Sequence, residues 1–196
     1  NWIINELTDQ EESCRKTLAQ QLRISGTLAK LLVQRGICTM QEANAFFHPE
    51  IGLLHDPFLL NDMDKAVERL NQALHLNQKI LVYGDYDVDG TTAVALVYKF
   101  LQNYTSNLDF YIPDRNDEGY GVSYKGIDFA AENDIKLIIV LDCGIKAIEK
   151  VAYAKERGID IIICDHHTPD NQLPQAVAVL DPKREDSTYP YGHLSG

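Results

Sequence analysis

The sequence predicts an α/β fold: a mostly parallel, Rossmann-like sheet with flanking helices, preceded by a small helical segment. Three observations predict it. From residue 79 onward, apolar runs of strand length alternate with stretches of helical periodicity, the pattern of strand–helix–strand crossovers. Runs such as Leu137-Ile-Ile-Val-Leu141 are apolar at every position, as expected of strands buried on both faces of a parallel sheet. Before residue 79 the chain shows helical spacing and capping signals instead.

Taken in order, residues 1 to about 50 read as helical. Leu28, Leu31, Leu32 and Arg35 fall at helical spacing, and Gly36 is a stop signal. Thr39-Met-Gln-Glu42 has the form of a capping box opening the next short helix, which His48-Pro49 ends. Residues 51–60 read as an apolar loop. Asn61 or Asp62 is expected to cap a helix in which Ala66, Leu70 and Leu74 share a face. Strands follow at 79–84, 108–112, 136–141, 160–164 and 176–180, and helices at 90–103, 123–133 and 145–157. The domain boundary implied is at 76/77: a helical segment 1–76, then the sheet domain 77–196.

The chain has 196 residues, 45% of them hydrophobic, enough to bury one sizeable core. No apolar run approaches the roughly 20 residues of a membrane span, and no leader pattern opens the chain, so a cytoplasmic protein without a membrane partner is expected. The four cysteines form no C-x-x-C pair and no zinc spacing, and read as reduced thiols. The net charge of −11, taken alone, argues against a nucleic-acid binder. A carboxylate-rich cation site offsets that argument, because it is acidic until its cations bind.

The chemistry lies in the placement of polar residues. Asp85, Asp142 and Asp165 each directly follow a predicted strand. In an open α/β sheet, ligands bind beyond the carboxyl ends of the strands, near the point where strand order reverses. Three strand ends thus deliver carboxylates to one edge, joined by His166 and His167. One such Asp is commonly a helix cap or turn residue; three with a double histidine read as a divalent-cation site for phosphoryl chemistry. Adjacent residues on an extended strand point to opposite faces, so the two imidazoles are expected to divide their work: one ligates metal and the other faces a phosphate oxygen or the leaving group. Asp165 is expected to fix a histidine tautomer or to bind metal itself.

Two lookalikes fail. Asp85-x-Asp87-x-Asp89-Gly90 has the opening of a calcium-binding EF-hand loop, but that loop needs Glu at its twelfth position, here Leu96, and a helix before it. Asp87-Val-Asp89-Gly90-Thr91 resembles the nucleophile motif of haloacid-dehalogenase-type phosphatases. There the nucleophile follows its strand closely, whereas here Gly84-Asp85-Tyr86 intervene, and that family has no Asp-His-His.

The ordered set Gly84-Asp-Tyr-Asp-Val-Asp-Gly-Thr-Thr92, Ile112-Pro-Asp-Arg115 with Glu118-Gly-Tyr-Gly121, Leu141-Asp-Cys-Gly144, Asp165-His-His167 and Asp181-Pro-Lys183 resembles the Asp-His-His (DHH) phosphoesterase superfamily. Within it, the chain is similar to the RecJ-type single-strand-specific exonucleases. The resemblance implies a metal-dependent 5′-3′ exonuclease of single-stranded DNA in recombination and repair, with two divalent cations, Mn2+ or Mg2+. Carried over, Asp87, Asp89, Asp142 and His166 are the direct metal ligands, Asp142 bridging, with Asp85 beside them. His167 faces the scissile phosphate, and Asp89 and Asp142 share the catalytic role with it. Arg115 and Lys183 are the phosphate-binding candidates, and Tyr120 is a candidate for stacking on a base. Water attacks phosphorus in line, with no protein nucleophile. A single-strand-binding protein or a helicase is the expected partner class.

The resemblance also implies a further Asp ligand beyond Gly196, so the chain is expected to be an N-terminal fragment, inactive alone. Two rivals remain. One is a DHH phosphodiesterase acting on short oligonucleotides or cyclic dinucleotides; the helical opening favours the exonuclease branch. The other is a non-catalytic scaffold, whose relatives tend to lose the carboxylates and histidines that are all present here.

Overall fold

The computed structural model describes residues 5–196; the first four residues of the expected helical segment lie outside the described residues. Two compact units divide between His55 and Asp56.

The first unit contains α1 (Asp9–Leu22), α2 (Gly26–Val33) and α3 (Met40–Phe47). α1 and α3 each open with a full capping box, Thr8 with Glu11 and Thr39 with Glu42, which satisfies amide groups the helix cannot pair internally. Their core is small: Leu18, Ala29, Leu32, Val33 and Ala43. Leu32 is buried as its spacing predicts, but Leu28 and Leu31 are exposed.

The second unit holds α4 (Met63–His75), β1 (Lys79–Gly84), α5 (Val88–Leu101), β2 (Leu108–Tyr111), α6 (Tyr124–Glu132), β3 (Ile135–Leu141), α7 (Ile148–Glu156), β4 (Asp160–Cys164) and β5 (Ala178–Leu180). The loop expected at 51–60 contains two short 3-10 turns, Ile51–Leu53 and Pro57–Leu59. All strand pairs are parallel, in the order β2-β1-β3-β4-β5. Strand order therefore reverses between β1 and β3, and the crevice at their carboxyl ends is where this architecture binds ligands.

Helices cover both faces, which explains the uninterrupted apolar strands. Leu81, Tyr83, Ile138, Val140, Ile161 and Ile163 pack against Ile127 and Ala130 of α6 and Val151 and Ala154 of α7. Ile80, Val82, Leu137, Ile139 and Ile162 pack against Ala66 and Ala73 of α4 and Ala93, Val94 and Leu101 of α5. Because α4 joins the core of the sheet, the observed division falls before it, at 55/56, rather than at the expected 76/77. Asp62 precedes α4 but does not cap it: φ is 63° and no side-chain cap bond forms. Its carboxylate instead accepts from Arg184 at 2.7 Å and Lys65 at 2.6 Å, joining the segment after β5 to α4.

Candidate metal centre

The centre is built on the turn after β1. Gly84 and Gly90 let α5 approach the strand end: a Cβ on Gly84 would stand 2.8 Å from the Gly90 carbonyl oxygen, and one on Gly90 would stand 2.4 Å from that of Asp85. Glycine at both ends of this motif is thus a packing requirement. Asp87 caps α5, its Oδ1 accepting from the Gly90 N–H at 2.9 Å. Asp85 is buried and accepts a long 3.4 Å bond from Gly121 N–H. Asp89 lies exposed in the first turn of α5.

Asp142 follows β3, its N–H continuing the sheet ladder to the Cys164 carbonyl at 2.9 Å. Its φ is 60°, a left-handed conformation that Asp tolerates better than most non-glycine residues and that often marks functional positions. One ligand atom each from Asp142, His166 and His167 lies within 4.8 Å of the others. His166 Nε2 is 3.1 Å from Asp142 Oδ1, yet that buried oxygen receives no hydrogen bond. Burial, and then the negative charge of Asp87, push the Asp142 carboxyl up to about 6, with His166 opposing. A buried carboxylate oxygen without a donor, beside a second carboxylate and two imidazoles, is short of positive charge. This donor set fits a divalent transition cation taking mixed oxygen and nitrogen ligands.

Asp165 holds the two histidines. Its Oδ1 accepts from the His166 N–H at 2.7 Å and the His167 N–H at 3.2 Å, and lies 2.7 Å from His167 Nδ1. Its Oδ2 accepts from Ile145 N–H at 2.9 Å. That last bond, with Gly144 at φ 105°, keeps residues 144–147 in a loop, so α7 starts at Ile148 and not at 145. Both carboxylate oxygens of Asp165 are thus occupied within the protein, and the bond to Asp165 assigns Nδ1–H to His167, leaving Nε2 as the acceptor nitrogen, with Tyr120 OH 3.3 Å away.

Spacing alone does not reveal how the loop after β2 is pinned. Tyr83 OH donates to the Gly121 carbonyl at 2.9 Å and accepts from Ser123 N–H at 3.1 Å. Glu118 accepts from Asp114 N–H at 2.8 Å and Tyr111 OH at 3.0 Å. Tyr120 OH lies 3.3 Å from the ring nitrogens of His167 and 3.4 Å from the Asp142 carbonyl oxygen; burial and then the charge of Asp165 push its phenol up. The only sequence signals for this network are a tyrosine inside an apolar strand and an acid before Gly-Tyr-Gly. Tyr83→Phe should destabilise the protein by about 1–3 kcal/mol, since it leaves a buried carbonyl and amide unpaired. Urea denaturation of the two proteins measures this, and unchanged stability would remove Tyr83 as the anchor of the loop.

Arg115 is exposed, its guanidinium 5.2 Å from the Tyr86 ring centroid, and it makes no ion pair among the described residues. Lys183 is exposed and lines a separate cavity with Thr168, Pro169 and Asp170. Asp181 is fully buried with Oδ2 unpartnered, and burial raises its carboxyl. The structure therefore brings Asp142, His166 and His167 together with the charge of Asp87 beside Asp142, while Asp89 is exposed on the first turn of α5 and Arg115 and Lys183 are exposed on their loops. It places both histidines in one cluster, where strand alternation had suggested separate faces. Both follow the end of β4, so alternation no longer constrains them.

The profile of the "DHH family, N-terminal domain" matches residues 79–195. The chain is 40% identical over 191 residues to the single-stranded-DNA-specific exonuclease RecJ of Bacillus subtilis, covering 97% of this chain and 24% of that protein. It is 35% identical to RecJ of Escherichia coli over 171 residues, covering 86% and 29%. Among solved structures, exonuclease RecJ bound to manganese matches with TM-score 0.62 and 31% identity over 68% of this chain and 34% of that one. RecJ in complex with Mn2+ from Thermus thermophilus matches at TM-score 0.68 and 24% identity over 90% and 24%, a likeness of fold. The chain spans about a quarter of the length of the curated relatives it matches.

Proposed function

Because the chain belongs to the DHH family, we propose that it carries the cation-binding chemistry of a RecJ-type exonuclease degrading single-stranded DNA from the 5′ end. The observation that carries this reading is the buried, donor-less Asp142 Oδ1 between Asp87 and the two histidines at the β1/β3 reversal. The relatives crystallised with manganese support Mn2+ as the cation, two ions being proposed, with Mg2+ as the alternative. Bound divalent cations neutralise phosphoryl charge and activate water.

In this reading Asp87, Asp89, Asp142 and His166 hold the cations, with Asp85 beside them on the same turn as Asp87 and Asp89. Asp142 and Asp89 share the catalytic role with His167. Asp165 holds Nδ1–H of His167, so that Nε2 meets the phosphate. Arg115 contributes its planar fork to a phosphate, and Lys183 a point charge. The reading places the protein in the cytoplasm, in recombination and repair, beside a single-strand-binding protein or a helicase. Among the described residues no helix is long and apolar enough to cross a membrane.

The test is cleavage of end-labelled DNA with Mn2+ by the full-length protein. Long single strands should be degraded from the 5′ end in preference to duplex, di- and trinucleotides or cyclic dinucleotides. Preference for the short substrates would replace this reading with that of a small-substrate phosphodiesterase.

A further inference from the structure

A cavity of about 420 Å³ opens beside the metal centre, with Asp165 and His167 in its wall. The rest of its lining includes Tyr120, Val122, Ile145, Lys146, Ala147 and Lys150, and neither lysine has a part in the chemistry above. The volume falls within the roughly 300–1,000 Å³ of small-molecule sites, and an apolar wall with a few placed polar groups is their usual composition.

The two lysines point to an anion. The chain carries a net charge of −11, so two ammonium groups on one cavity stand against the general field. Lys146 pairs with Asp170 at 2.9 Å, both side chains more than half exposed, and such a pair is weak enough to exchange for a phosphate. Lys150 has no carboxylate partner among the described residues; its ammonium lies 6.0 Å from the Tyr124 ring centroid. Tyr120 supplies the other requirement. Its hydroxyl is tied beside His167 and Asp142, while the residue stays 54% exposed, so the ring is held in place with surface to spare. Aromatic rings presented this way stack on bases without regard to sequence.

We propose that this cavity seats one nucleotide of the substrate, with its base against Tyr120 and the Val122–Ile145–Ala147 wall and a phosphate at Lys146 and Lys150. The assignment rests on reading the neighbouring centre as one that cleaves phosphodiesters. The cavity then selects a strand whose bases are free to leave the stack, because a paired base cannot enter it.

The experiment is titration of the protein with dTMP, thymidine and inorganic phosphate, followed by amide NMR without metal and by calorimetry. The dTMP should shift Tyr120, Val122 and Ile145 saturably and bind more tightly than either half alone. The double variant Lys146→Glu/Lys150→Glu should weaken dTMP binding by about tenfold or more, as expected for lost charge-assisted contacts, while leaving Mn2+ affinity unchanged. Equal dTMP affinity in the double variant, or shifts confined to Asp87, Asp142 and His166, would overturn the proposal. Failure of the wild-type protein to bind Mn2+ would instead remove the reading of the metal centre, and the dTMP arm would still decide the cavity.

Discussion

Asp142→Asn should make the metal-free protein more stable at pH 7–8 while lowering its Mn2+ affinity by about 100-fold or more, beyond the 10–100-fold typical of losing an outer contact. The two effects share one cause. Asp142 is 2% exposed, and burial with the neighbouring Asp87 charge raises its carboxyl from 3.8 to about 6. Well below pH 3.8 the group is protonated in both the folded and unfolded chain. As pH rises towards 6, the unfolded chain loses the proton first, so the folded state binds more protons and its stability falls with pH. Above 6 the full penalty is present, about 1–3 kcal/mol for a shift of this size. Asparagine removes the charge and still tolerates the φ of 60°, which alanine would not. Mn2+ reverses the balance for the wild type, since a ligand at 100 times its Kd adds about 2.7 kcal/mol. Melting curves with and without Mn2+, over pH 4–8, check both halves. A variant that is less stable without metal, or equally stabilised by it, would show that Asp142 is not a strained cation ligand.

Gly90→Ala should destabilise the protein by about 2–4 kcal/mol, although alanine in a helix is normally favoured by about 1 kcal/mol. The added Cβ would meet Asp85 O at 2.4 Å, N at 2.6 Å and C at 2.7 Å. These are backbone atoms of the turn that carries Asp85 and Asp87, and they cannot swing aside as a flexible side chain would. Either α5 moves off β1, or the turn does. Both displace the Asp87 cap from Gly90 N–H, so Mn2+ affinity should fall with stability. Gly52→Ala is the control, since nothing lies within 4 Å of its added Cβ. Urea denaturation of the pair decides: a Gly90→Ala protein as stable as the control would mean that the close approach of helix and strand is not required.

The core of this fold was legible because its signals are local. Strands at 79–84 and 160–164 have the expected bounds, set around the apolar runs Ile80–Tyr83 and Ile161–Ile163, since hydrophobic periodicity is written residue by residue. Expectations slipped where long-range contacts decide. The last strand shortens to Ala178–Leu180. Asp62 is drawn from its expected capping role to Arg184, far along the chain. α7 starts late because Asp165 takes the Ile145 amide. At the centre, Asp87, Asp142, His166 and His167 could be chosen from their places after strands. The partners that orient them could not, because Tyr83, Glu118 and Tyr120 act through bonds spanning loops.

By itself, then, the sequence determined a parallel α/β sheet, the edge at which the carboxylates and histidines collect, and the family to which that edge belongs. Those properties follow from side-chain type and order along each strand. Only the tertiary structure decided the charge balance of the motif that opens at Gly84. It set Asp142 in a left-handed turn, buried it beside Asp87 and gave one of its oxygens no donor. It also filled both oxygens of Asp165 with protein partners, so that Asp165 positions the histidines. Burial and hydrogen-bond satisfaction depend on what every other element brings to the same space, and no window of sequence contains that.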